Sequence, residues 1–225
     1  IVVGGLLGLL FKNLLTKSME DTLLKASSVC VLFIGIGGAM SQMLKLTDGA
    51  LATSGSMMLI ICFVLGGLVG ELLNIEGTFE RFGAWLRKKT HNESDSGFLS
   101  GFIHASLTVC IGAMAIVGSI QDGLLGDASL LCAKAALDAV IILVMTASMG
   151  KGCIFSAIPV AILQGGVTLL SRVIAPVMTD AAIASLSFTG SVMIFCVGVN
   201  LIWGKTIKVA NLLPTLVFAV VYTFL

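Results

Sequence analysis

Residues 110–122 read CIGAMAIVGSIQD, and residues 196–208 read CVGVNLIWGKTIK. Cys110, Gly112 and Gly118 are matched by Cys196, Gly198 and Gly204 at one constant offset of 86 residues. Two apolar segments have no compositional reason to share three such positions, so the pair reads as an internal duplication. A second device stands one span upstream of each copy: paired glycines at Gly66-Gly67 (VLGGLVGELL) and Gly165-Gly166 (LQGGVTLL). The N-terminus carries it too, as Gly4-Gly5 in VVGGLLGLLF followed by FIGIGGAMS at 33–41. Gly5 to Gly37 is 32 residues and Gly166 to Gly198 is 32 again, while the middle copy, 67 to 112, is lengthened by a polar insert.

Composition decides the solvent. The chain of 225 residues is 57% hydrophobic and only 11% charged, with a mean hydropathy of +1.10. It lacks the polar surface a soluble domain of this size shows to water, and reads as a polytopic membrane protein. With 26 Gly against 3 Pro, the glycines fit helices packed backbone to backbone in lipid better than loops. A net charge of +1 points to no nucleic-acid partner. The six cysteines lie in apolar runs without a CxxC pair, which favours small hydrophobes over disulfides or a metal site. The chain begins at Ile1 inside an apolar run, so residues upstream of it are expected.

Apolar stretches of spanning length fall at about 1–15, 28–43, 56–73, 98–120, 129–149, 152–171, 187–203 and 212–225, eight in all. Several are short or broken by glycine pairs. Alternating sides at each span gathers Lys12, Lys17, Lys25, Arg81, Arg87, Lys88, Lys89, Lys151, Lys205 and Lys208 on one side, and Lys45 and Arg172 on the other. The positive-inside rule makes the basic side cytoplasmic and places both termini outside. Three spans in each of 56–150 and 151–225 then make the two units inverted copies, with 1–55 a partial copy parallel to the first. Inverted three-span repeats put a binding site at the repeat interface near mid-membrane in secondary transporters. The competing reading is that close packing restricts the alphabet of Gly-rich spans and makes them alike. Within the insert at 74–97, Phe79, Phe82, Trp85 and Leu86 share a helical face, the pattern of a helix in the headgroup plane, where Arg81, Arg87, Lys88 and Lys89 could hold anionic lipid.

Charge inside lipid costs roughly 2.5–3.5 kcal/mol, so Lys134 and Asp138, four residues apart in span five, call for a reason. They read as a paired gate or coupling site, or as a neutralised structural pair. Gln121 and Asp122 close span four just beyond the duplicated motif, Asn200 lies in its second copy, and Gln164 precedes Gly165-Gly166. A carboxamide beside a broken helix offers a carbonyl and an NH₂ to a small solute or ion. These four, with Gly112 and Gly198, are the expected ligand contacts, facing one shared polar cavity. His104, among Ser100, Ser106 and Thr108 on span four, is a candidate for coupling or for plain packing. No HExxH, GxSxG, acidic metal pair or phosphate loop is present, which argues against an enzyme, a metal centre or a cofactor.

The runs GGLLGLLFK, GGLVGELLNIEG, CIGAMAIVGSIQDGLLGD, LQGGVTLL and ANLLPTL together resemble the bacterial family of uncharacterised inner-membrane proteins called YqgA or YdfK, over essentially the whole chain. The resemblance implies a bacterial multi-pass inner-membrane protein with transport as the suggested role, no established substrate and no assigned functional residues. The expectation is an all-α membrane protein of about eight spans in inverted repeats, acting as a secondary transporter or channel for a small solute or ion, with a homo-oligomer open. The alternative is a non-transporting scaffold or sensor whose basic helix binds a cytoplasmic partner or anionic lipid.

Overall fold

Glycine decides which helices meet. The computed structural model describes residues 1–12, 16–47, 50–92, 97–110 and 113–225. Helix α1 (Val2–Lys12) lays Gly4 and Gly8 on α7 (Ser129–Met149): a Cβ at Gly4 would stand 2.2 Å from the carbonyl oxygen of Ala139, and one at Gly8 2.4 Å from that of Leu143. Helix α2 (Lys17–Met43) packs along α10 (Asp180–Trp203), with Gly35 against Phe195 and Gly198 against Leu32. The order of these contacts makes the pair antiparallel, whereas α1 and α7 run parallel. Helix α3 (Ser56–Leu73) meets the 3₁₀ turn Val209–Leu212 and α11 (Pro214–Tyr222) in the same way. A Cβ at Gly66 would lie 2.3 Å from Thr215, and one at Gly70 1.8 Å from the carbonyl oxygen of Asn211. Apolar side chains gain little by leaving lipid for one another, so such close backbone approach is what holds helices together there.

The other elements fill in around these pairs. A hairpin of β1 (Leu44–Thr47) and β2 (Ala50–Thr53), which the hydropathy pattern does not announce, joins α2 to α3. Asn74, in the left-handed region at φ 47°, turns the chain from α3 into α4 (Ile75–Lys89) and caps the new helix by accepting the Gly77 N–H at 3.2 Å. The expected span at 98–120 is described as two helices, α5 (Phe98–Cys110) and α6 (Ala113–Leu125). The expected span at 152–171 begins as a 3₁₀ turn, Lys151–Ser156, before α8 (Ala157–Leu169) and the single turn α9 (Ser171–Ile174). α10 starts seven residues before the apolar run predicts, capped by Thr179, whose hydroxyl accepts the Ala182 N–H.

Among the described residues, four segments are helical, long and apolar enough to cross a membrane: Ser56–Leu73, Ser129–Met149, Lys151–Leu169 and Asp180–Trp203. The shorter apolar helices Val2–Lys12, Ser28–Met43, Phe98–Cys110 and Val209–Tyr222 fall where the sequence places its other four spans. Large apolar side chains face outward in numbers, Phe33 at 69% exposure and Leu169 at 87% among them, a surface that only an apolar solvent accommodates. The core beneath it is built on Phe98, Phe102, Ile142, Met193 and Val197. On α4, Leu86 is buried and Phe79 and Phe82 pack against that core, whereas Trp85 points outward, stacked on Phe82 at 5.9 Å. Cys62 and Cys153 are buried, while Cys30 and Cys132 are exposed and so do not serve as core hydrophobes.

The three glycine pairs part company in this fold. Gly165 and Gly166 on α8 have nothing within 4 Å of an added Cβ. Gly70→Ala is therefore expected to cost about 1–3 kcal/mol or more through overpacking. Gly165→Ala is expected to be neutral or to gain up to roughly 1 kcal/mol as a better helix former. Thermal melts of the two variants in one detergent check the contrast.

Candidate functional site

The end of α3 and the connection from α10 to α11 are drawn together by Gly66 and Gly70, and the polar residues of both segments then have to satisfy one another. Glu76 lies in the first turn of α4 at 5% exposure. A buried carboxylate survives only when paired and hydrogen-bonded. Its Oε2 accepts the Ala210 N–H at 3.0 Å, and its Oε1 lies 3.3 Å from Lys205 Nζ. The Glu76 backbone N–H donates to Asn211 Oδ1 at 2.7 Å, and Asn211 Nδ2 donates to Glu71 Oε2 at 2.6 Å. Lys205 also pairs with Glu80, one turn further along α4, and the Glu80 carboxylate raises the lysine above its ordinary pKa. Lys208 pairs with Glu71 at 2.5 Å in the open, where solvent screens the contact.

Above this network a cavity of about 440 Å³ opens between α4, α5 and α10. Glu76 and Glu80 line it from α4, Ser100 and His104 from α5, Asn200 from α10, and Lys205 from the connection that follows Gly204. Leu107 and Val197 line it as well. Val197 to Gly204 is seven residues, so its lining extends roughly 10 Å along α10 at 1.5 Å per residue. It is a vestibule, about a third of a hydrocarbon core of roughly 30 Å. His104 Nδ1 lies 2.8 Å from the Ser100 carbonyl oxygen. A carbonyl oxygen only accepts, so that nitrogen donates and Nε2 is left for pairings on the cavity side. Two carboxylates against one ammonium give the vestibule a net negative charge.

Of the residues expected from sequence, His104 and Asn200 meet here. Asn200 uses its carboxamide on its own chain: Oδ1 accepts from Thr206 N, Thr206 Oγ1 and Ile207 N at 3.0, 3.0 and 2.9 Å, and Nδ2 donates to the Ile207 carbonyl at 2.7 Å. It is the staple of the turn that presents Lys205. Gln121 and Asp122 sit in the last turn of α6, whose Gly123 packs on Thr168 and Ser171; they do not line this cavity. Gln164 is half-buried on α8 with an unpartnered amide nitrogen. Gly198 packs on Leu32 of α2, and Gly118 on Leu131 of α7, so each glycine serves a different neighbour. Gly112 lies outside the described residues.

Lys134 and Asp138 are both buried at 7% exposure and bonded to each other on α7. Lys134 Nζ also donates to the Val109 carbonyl at 2.9 Å, in the last turn of α5. Carbonyls at a helix C-terminus lack intrahelical partners, and a cation there answers both the missing hydrogen bond and the dipole. Sequence reasoning does not single out Glu76, Glu80 and Lys205 as a site; Lys205 counts there only among the basic residues of one side. Their signal was the placing of a basic GK pair and an acidic NIEG run on the same predicted side. Among the described residues no three of His, Cys, Asp and Glu converge as metal ligands.

Removing one member of a buried pair leaves an uncompensated charge. Lys134→Met is expected to cost about 3–5 kcal/mol, and Lys134→Met with Asp138→Leu to recover most of it. Melting temperatures of the single and double variants in detergent read the difference; equal losses would show that the pair is not coupled.

Residues 1–224 match the model of a family described as protein of unknown function, DUF554. The uncharacterised membrane protein YdfK of Bacillus subtilis (strain 168) is 27% identical over 224 residues, covering 100% of this chain and 92% of that protein. The uncharacterised protein YqgA of Escherichia coli (strain K12) is 25% identical over 226 residues, covering 97% of this chain and 90% of its own length. No solved structure matches the chain. Two relatives aligned from end to end, with the family model spanning the fold and its vestibule alike, make this chain a member of the DUF554 family.

Proposed function

We propose that this chain is a secondary transporter or channel for a small polar solute or ion, with the vestibule of Glu76, Glu80, His104 and Lys205 as its entry site. The observation that carries the reading is the vestibule itself. A scaffold has no use for a buried carboxylate, a half-buried imidazole and an ammonium around an open volume of about 440 Å³, since solid packing would serve it better. The net negative lining favours a cation or a solute carrying one. Leu107, part of the lining, stands two residues before Val109, whose carbonyl Lys134 holds. The Lys134–Asp138 pair is then the next polar group on the way inward, and the gate or coupling site. Gln121, Asp122 and Gln164 serve the far side of the path. On this reading the chain performs no covalent chemistry.

Eight spans in inverted repeats, in a bacterial inner membrane with both termini outside, belong to the same proposal. The packing supports it: α1 and α7 run parallel, α2 and α10 antiparallel, and α3 and α11 antiparallel, as the span count requires. Lys205 meets Glu80, so residues on one predicted side also meet in space.

Flux assays in proteoliposomes, screening inorganic and organic cations, test the function. Glu80→Gln and Lys205→Met are expected to change uptake by an order of magnitude or more, since each alters the charge that an entering cation meets, while Gly165→Ala leaves uptake alone. An empty screen, with both variants behaving as the parent, would count against transport. Single cysteines at 90 and 125, in a variant freed of its other cysteines, are expected to label from opposite sides, with 90 cytoplasmic. Labelling from one side would remove the eight-span arrangement.

A further inference from the structure

α4 has a second flank. At about 100° per residue, Glu76 and Glu80 face one way, towards the vestibule, and Thr78 and Phe82 face nearly the opposite way. There a predominantly apolar groove of about 500 Å³ lies between α4, α5 and α8, with Thr78 and Phe82 on its α4 wall and Cys110, Ile162 and Leu163 on the others. The volume lies within the roughly 300–1,000 Å³ of small-molecule sites. Ser106 is the exception to its apolar wall: the residue is fully buried and its hydroxyl has no hydrogen-bond partner.

One cation borders this groove, and two more lie further along the same helix. By the same helical step Arg81 lies on the outward face of α4 next to Thr78, while Lys88 and Lys89 follow about two turns on, where with Trp85 they line a separate depression. Arg81 reaches back to the α4 wall, donating from Nη2 to Thr78 Oγ1 at 3.2 Å and from Nε to the Gly77 carbonyl at 3.1 Å. Its remaining guanidinium donors are uncommitted. Among the described residues no carboxylate pairs with Arg81, Lys88 or Lys89. An apolar groove thus has a guanidinium at its edge, and two ammonium groups follow along the same outward face beside a tryptophan of the kind that settles at headgroup depth.

We propose that this groove seats a single anionic phospholipid, one acyl chain lying between α4, α5 and α8 and the phosphate held by Arg81, with Lys88 and Lys89 further along the same face. A free phosphate would satisfy the cations and leave the groove empty. A zwitterionic lipid would fill the groove and leave the surplus charge unanswered. The seat does not depend on the transport reading, because vestibule and groove lie on opposite flanks of α4.

Native mass spectrometry of the delipidated full chain in detergent, titrated with equimolar phosphatidylglycerol and phosphatidylcholine, tests it. The first lipid bound is expected to be phosphatidylglycerol, and each of Arg81→Gln, Lys88→Gln and Lys89→Gln to weaken it by roughly fivefold without changing phosphatidylcholine binding. Ile162→Trp, at a largely exposed position, fills the groove and is expected to weaken both lipids while the lipid-free melting temperature holds. If that variant melts early, shortening the acyl chains at constant headgroup gives the same information on the parent, and weaker binding is expected. Equal binding of the two headgroups, indifference to chain length, or displacement of the lipid by excess glycerol phosphate would each overturn the seat.

Discussion

Backbone contact through glycine is the constraint from which the rest of this structure follows. In lipid the hydrophobic effect does not drive helix against helix, and association depends on how closely two backbones can approach. Gly4 and Gly8 on α7, Gly35 and Gly198 between α2 and α10, and Gly66 and Gly70 on α11 and the turn before it are the places where that approach occurs. Each pairing joins segments more than 130 residues apart in the chain. The third of them has a chemical consequence, because it presses the Asn211 carbonyl onto Gly70 and carries a polar connection to the foot of α3.

What gathers there is organised by unequal burial. Glu76 is nearly closed off and takes two partners, a backbone N–H and an ammonium, whereas Glu80 and Lys205 are about half exposed and Glu71 and Lys208 more so. The inner members are fixed by need, since an unpaired buried charge is costly, and the outer ones are free to exchange partners with solvent or solute. Asn200 contributes indirectly: three acceptor contacts and one donor contact hold the turn after Gly204, and that turn sets where Lys205 reaches.

The second buried pair obeys the same logic deeper in the fold. Lys134 answers Asp138 on its own helix and the Val109 carbonyl at the end of α5, so one ammonium neutralises a carboxylate and closes a helix terminus at once. A group with two such duties is well placed to act as a switch, because a change at either partner is felt by the other. This is the physical content behind reading the pair as the gate of the proposed path.

Membrane class, the positions of the apolar segments and the amphipathic character of α4 were legible in the chain, because hydropathy and helical periodicity are local properties summed over a dozen or more residues. The same locality marked Lys134 and Asp138 as partners, four residues apart on one helix, and singled out His104 and Asn200 as polar groups within apolar runs. The hairpin at 44–53 and the early start of α10 were not legible: capping by one threonine and pairing of two four-residue strands lie below what a hydropathy window resolves. Nor were Glu76, Glu80 and Lys205, whose meaning is their meeting across 125 residues and more. A glycine in the sequence says only that a close approach is permitted. Which backbone arrives there, and which charges it brings with it, was decided by tertiary packing, since the partner of every such contact lies on a distant helix.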